Sequence, residues 1–135
     1  MKELTIDALV ENLDYVTDFV NEQLIKAKCP PKIRAQIDLC IDEIFGNIAH
    51  YAYIAKKGKA TVQVEIEHNP RAISLTFIDQ GIPFDPLAKE DPDITLSAEE
   101  RAIGGLGIFM VKKLMDHVSY EFRNGKNILR MKKII

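Results

Sequence analysis

The chain has 135 residues, of which 47% are hydrophobic and 28% charged, and its formal net charge is −2. That length sets the expectation of a single domain over 1–135, burying roughly 68% of its unfolded surface without staples. The composition excludes a disordered polymer and a strongly basic chain, so direct binding to nucleic acid or to an anionic membrane is not expected. No apolar run is long enough to cross a bilayer, and Met1-Lys2-Glu3-Leu4-Thr5 lacks the apolar stretch of a secretion signal. The two cysteines, Cys29 and Cys40, have no Cys or His partner at a metal-ligand spacing. They read as reduced thiols, and the expected location is the cytoplasm.

Lys2 to Ile6 predicts a short edge strand, with Leu4 and Ile6 on one side, and Asp7 is placed to cap the helix that follows. Leu9, Leu13, Val16, Val20, Leu24 and Ala27 then form one apolar stripe, which predicts a long amphipathic helix. Cys29-Pro30-Pro31 ends it, because proline cannot continue a helix and restrains the residue before it. A second helix is predicted from about Lys32 to Ile54, buried through Ile37, Ile41, Ile44 and Ile48 and widened by Cys40, Phe45 and Ala52.

Thr61 to Glu67 alternates strictly, and the return strand through Ile73, Leu75 and Phe77 ends at Ile78-Asp79, with His68-Asn69-Pro70-Arg71 as the turn. From Gln80 to Gly105 the pattern breaks: three of the six prolines and three of the seven glycines fall here, among many carboxylates. A break of about two dozen residues predicts a functional lid, placed at about 86–104. Gly107 to Asp116 predicts a third helix, with Ile108, Val111 and Met115 on one face. Val118, Tyr120 and Phe122 alternate, Asn124-Gly125 is a hairpin turn, and Ile128 to Ile135 is the last strand. The order predicts an α+β fold of two layers, helices on one face of a mixed, mostly antiparallel sheet.

Three clusters carry chemistry. Glu43 and Asn47, four apart, share a helix face at the edge of the isoleucine stripe. The carboxylate can accept a proton or orient a hydroxyl, and the amide carbonyl is a hard-cation ligand; equally, both fit an ordinary polar helix flank. Asp79-Gln80-Gly81 follows a strand directly. An Asp there can accept from an exocyclic amine and Gly81 permits close approach, although Asp, Gly and Pro also make a plain turn. Arg101-Ala102-Ile103-Gly104-Gly105-Leu106-Gly107 opens a helix, so its backbone N–H groups and the dipole can face a phosphate, with Arg101 upstream; a glycine hinge would look the same. No strand precedes that helix and no Gly-Lys-Ser/Thr follows, which excludes a Rossmann fingerprint and a P-loop.

Glu-x-x-x-Asn on a helix, Asp-x-Gly after a strand, a lid, then Gly-Gly-x-Gly into a helix resembles the ATP-binding domain of the GHKL superfamily. The stretch from Gly104 to Asp116, with Asp79 to Asp85, is most similar to the anti-sigma-factor serine/threonine kinases. The resemblance runs from the first helix to the last strand. It implies a Bergerat-type fold and binding of ATP with Mg2+. It also implies phosphorylation of a STAS-type antagonist, sequestration of a regulator such as a sigma factor, and a homodimer. It implies Glu43 as general base or hydroxyl-positioning carboxylate, Asn47 as magnesium ligand, and Asp79 with Gly81 at the adenine. It implies Gly105 and Gly107, with Gly104, and Arg101 at the phosphates. Where the family often has His before Ala-Tyr, this chain has Tyr51, and His50 is given no role. An ATP-binding module that sequesters a partner without transfer would share these motifs. A histidine-kinase fragment would need a phosphoacceptor histidine upstream, and the helix before the second one holds none.

Overall fold

The computed structural model describes residues 1–53, 57–88 and 106–135. Five strands, β1 (Lys2–Asp7), β2 (Lys59–Glu67), β3 (Ala72–Asp79), β4 (His117–Arg123) and β5 (Lys126–Ile134), form one sheet in the order β1-β2-β3-β5-β4. Every pairing is antiparallel. Three helices, α1 (Leu13–Lys26), α2 (Pro31–Asn47) and α3 (Leu106–Leu114), make the second layer.

The period of two decides the layering. Val62, Val64, Leu75, Phe77, Leu129 and Met131 project from one face, and all are buried in a cluster with Val16, Val20 and Leu24 of α1, Ile37 and Ile41 of α2, and Val111 of α3. Each such side chain withdrawn from water contributes about 1.5–3 kcal/mol. The opposite face carries Thr61, Gln63, Ser74, Thr76 and Arg130, which remain partly or fully exposed. β1 lies at the sheet edge, as expected, and its Lys2, Glu3 and Asp7 discourage a further strand from pairing. The Asn124-Gly125 turn has φ of 54° and 76°, the left-handed pair that a two-residue hairpin requires.

Two expectations need correction. Asp7 does not cap α1: it ends β1, and its carboxylate pairs with Lys59 Nζ at 3.1 Å. A 3-10 turn at Val10–Asn12 intervenes, and Asn12 Nδ2 donates to the Asp7 carbonyl at 3.0 Å across it. The α-helical ladder of the second helix stops at Asn47 and continues as a π-helical turn, Ile48–Ala52. Pro31 opens that helix at its first position, where a missing N–H costs nothing.

No helix among the described residues is long and apolar enough to cross a membrane. Of the predicted lid, only a 3-10 turn at Pro86–Ala88 is described, started by Asp85 Oδ1 accepting the Leu87 N–H at 2.8 Å. Arg101, Gly104 and Gly105 lie outside the described residues.

Candidate functional site

A cleft of about 480 Å³, counted out to open solvent, lies where the end of α2 meets the ends of β3 and β5. Ile44, Ile48 and Ala52 wall one side, Phe77 and Leu129 form the base, and Ile82, Phe84 and Tyr51 stand at the mouth. Ile82 is 46% exposed, Phe84 42% and Tyr51 61%. Large apolar side chains gathered at a cleft mouth mark a place for a flat apolar ligand.

The polar end of this slot is built around Asp79, which is only 6% exposed. Its Oδ1 accepts from the Gly81 N–H at 2.9 Å and from Asn127 Nδ2 at 2.9 Å. Its Oδ2 makes no hydrogen bond among the described residues, and Asp79 lines the cleft. A carboxylate held through one doubly hydrogen-bonded oxygen is fixed in orientation and keeps its other oxygen as an acceptor.

Asn127 does the orienting, and the sequence reading missed it. It pairs with Asp79 in the β3–β5 register and is 6% exposed. Besides holding Asp79, its Nδ2 donates to the Ile82 carbonyl at 2.9 Å. Its Oδ1 accepts from the Phe84 N–H at 3.2 Å and from the Tyr120 hydroxyl. Burial raises the Tyr120 hydroxyl above its ordinary range, against the bond from the Phe84 backbone that lowers it, which keeps it a donor at neutral pH. A signal existed: Asn127, Leu129 and Met131 alternate on the inward face, and an amide at an inward position must find partners.

Gly81 is required by its neighbour. A Cβ there would fall 2.2 Å from the Ala52 carbonyl oxygen, the same oxygen that accepts the Ile82 N–H at 2.9 Å. The π-helical turn thus holds the loop that follows β3.

Glu43 and Asn47 meet as their spacing predicts: Asn47 Nδ2 donates to Glu43 Oε1 at 3.2 Å. That bond turns the Asn47 carbonyl oxygen away from Glu43, and Asn47 lines the cleft. An oxygen donor at the cleft wall suits a hard cation; the rest of such an ion's shell would be phosphate oxygens and water. Among the described residues no three His, Cys, Asp or Glu gather to hold a metal by themselves. Gly107 sits directly on Glu43: a Cβ would fall 2.1 Å from both Cδ and Oε2. The carboxylate therefore lies against the first turn of α3, the positive end of the helix dipole. The structure thus brings Glu43, Asn47 and Gly107 together and places Asn47, Asp79 and Gly81 around the cleft. Tyr51 lies on the cleft wall, and His50 beside it is exposed, their rings 5.9 Å apart.

The family model of the histidine kinase-like ATPase domain matches residues 6–133. The serine/threonine-protein kinase BtrW of Bordetella bronchiseptica is 28% identical over 100 residues, covering 74% of this chain and 70% of that protein. In fold, the chain is similar to the crystal structure of the RsbU and RsbW domains of Rv1364c from Mycobacterium tuberculosis, with a TM-score of 0.63 and 15% identity over 99% of this chain. It spans 32% of that longer chain.

Proposed function

The chain belongs to the histidine kinase-like ATPase domain family, and on that footing we propose that it is an ATP-dependent serine/threonine protein kinase of the anti-sigma-factor type. It passes the γ-phosphoryl group of ATP to a hydroxyl of a STAS-type antagonist protein and sequesters a regulator such as a sigma factor when the antagonist is absent. In this reading it works as a homodimer in the cytoplasm. The likeness to a serine/threonine-protein kinase supports the activity, and the observation that carries the nucleotide reading is the buried Asp79 carboxylate, held through Oδ1 at the head of an apolar slot.

Asp79 Oδ2 accepts from the exocyclic amine of adenine while Ile82 and Phe84 cover the base. Gly81 keeps the backbone close to it. Asn47 offers its carbonyl oxygen towards the phosphates, where bound Mg2+ would neutralise their charge. Gly107, with Gly104, Gly105 and Arg101, supplies N–H groups and positive charge at the same phosphates. Glu43 holds the acceptor hydroxyl in line and takes its proton at a carboxylate oxygen. Phosphoryl transfer depends mainly on such positioning and charge neutralisation, so these few groups suffice.

The test is transfer from γ-labelled ATP to a purified STAS-type antagonist by the parent and by Glu43→Gln. Transfer by the parent, reduced about 10²–10⁴-fold in the variant, is the expected result. ATP binding with no transfer by either protein would replace the kinase with a sequestering ATP-binding module.

A further inference from the structure

β3 works on both faces. Its Asp79 side chain faces the cleft, so its neighbours Ile78 and Gln80 face the other way. On that opposite face the ends of β1, β2, β3 and β5 surround a second recess of about 830 Å³, counted out to open solvent like the first. Three lysines line it from separate segments: Lys57 from the connection before β2, Lys59 from the start of β2 and Lys126 from the start of β5.

The floor of the recess is held firmly. The Tyr53 hydroxyl donates to the Lys59 carbonyl at 2.6 Å and accepts the Gln80 N–H at 2.8 Å, and its ring lies against Gly58. Thr5 and Thr61 share one hydroxyl–hydroxyl bond of 2.8 Å, which leaves one hydroxyl hydrogen of the pair for a ligand. Among the described residues that line the recess Asp79 is the one carboxylate, and its Oδ1 is bonded to Gly81 and Asn127 on the other face. Asp7 meets Lys59 in a pair whose side chains are 53% and 67% exposed, which is worth little and is readily exchanged. Lys57 and Lys126 make no ion pair among the described residues.

A concentration of like charge in a concave site, on a chain of net charge −2, focuses the field on an anion. The recess is too large for one inorganic ion, and the Tyr53 ring and Ile78 give it an apolar side that such an ion would not use. We propose that it docks an acidic segment of a partner protein, lysines on carboxylates and the apolar side on their methylenes. The inference does not depend on the nucleotide reading, since the two sites lie on opposite faces of the sheet.

Fluorescence anisotropy of a fluorescein-labelled hexaglutamate peptide, titrated with the full chain at low and physiological ionic strength, tests it. The peptide should bind, more weakly at higher salt, and inorganic phosphate should weaken it no more than chloride of equal ionic strength. The double variant Lys57→Glu/Lys126→Glu should weaken binding about tenfold or more. Lys28→Glu/Lys32→Glu changes the net charge equally, but at the far end of α1, about 20 Å along that helix, and should leave binding within about twofold. Lys57→Gln/Lys126→Gln repeats the test without new repulsion, should the reversed pair fold poorly. Absence of peptide binding at low salt, displacement by phosphate beyond that by chloride of equal ionic strength, or equal weakening by the recess and distal pairs would overturn the proposal.

Discussion

Replacing Asp79 by Asn keeps the shape of the side chain and changes one atom's role. The Gly81 N–H and Asn127 Nδ2 both donate to Oδ1, so the new carbonyl oxygen must take that place. The new NH2 then occupies the open position at the cleft, where it meets the adenine amine donor to donor. The lost hydrogen bond to a charged group is worth about 1.5–3 kcal/mol, and leaving donors unmatched costs about 1–3 kcal/mol more. A combined loss of about 3–4 kcal/mol weakens ATP binding by roughly two to three orders of magnitude. The fold keeps both local bonds, so stability should move by no more than about 1 kcal/mol, or about 3–4 °C for a chain of this length. Calorimetric titration with magnesium-ATP and a thermal melt read the two effects separately. An affinity within about twofold of the parent would refute the role of Asp79. A large drop in melting temperature would refute the claim that two donors hold the amide in one orientation.

The two packed glycines should behave differently. Gly81→Ala drives a Cβ into the Ala52 backbone, so it should cost about 2–4 kcal/mol in urea denaturation through overpacking and the strained Ile82 bond. Gly107→Ala meets the end of the Glu43 side chain first, a group that can shift, so the fold should hold while phosphoryl transfer falls, measured by melting and labelled-phosphate assay. Asn47→Ala should weaken magnesium-ATP binding, whereas Glu43→Gln should leave it nearly unchanged; titration of both variants compares them. Burial pushes the Cys40 thiol up to about 11 from its ordinary 9.0, with Lys133 pulling it slightly down. The folded state binds this proton more tightly, so its contribution to stability is complete below about pH 9 and disappears as pH rises to about 11. Denaturation at alkaline pH should show that fall in the parent and a smaller one in Cys40→Ala.

The layers were legible because they rest on local periodicity. Val62, Val64 and Leu75, Phe77 alternate, and Ile37, Ile41 and Ile44 recur with the helix, so each buried face is written in a few adjacent residues. Glu43 and Asn47 were legible for the same reason, since one helix turn brings them together. Asn127 was not, because its partner Asp79 is 48 residues away and only the β3–β5 register unites them. The passage from α to π geometry after Asn47 was equally hidden: the Ala52 carbonyl finds its partner in Ile82, across the fold. Asp7 misled because an acidic residue before an apolar stripe has the look of a cap, while its ion partner Lys59 lies on another strand.

The sheet order also sets the timetable of biosynthesis. β5 lies between β3 and β4, so an interior position of the sheet is filled by the strand translated last of the five. At about 5–20 residues per second, the 48 residues from Asp79 to Asn127 take the ribosome about 2–10 s. Throughout that interval β3 presents an unpaired edge to other nascent chains, a template for misassembly. The cleft arises in one step when β5 enters, and a chain interrupted before residue 126 has neither a closed sheet nor an oriented Asp79.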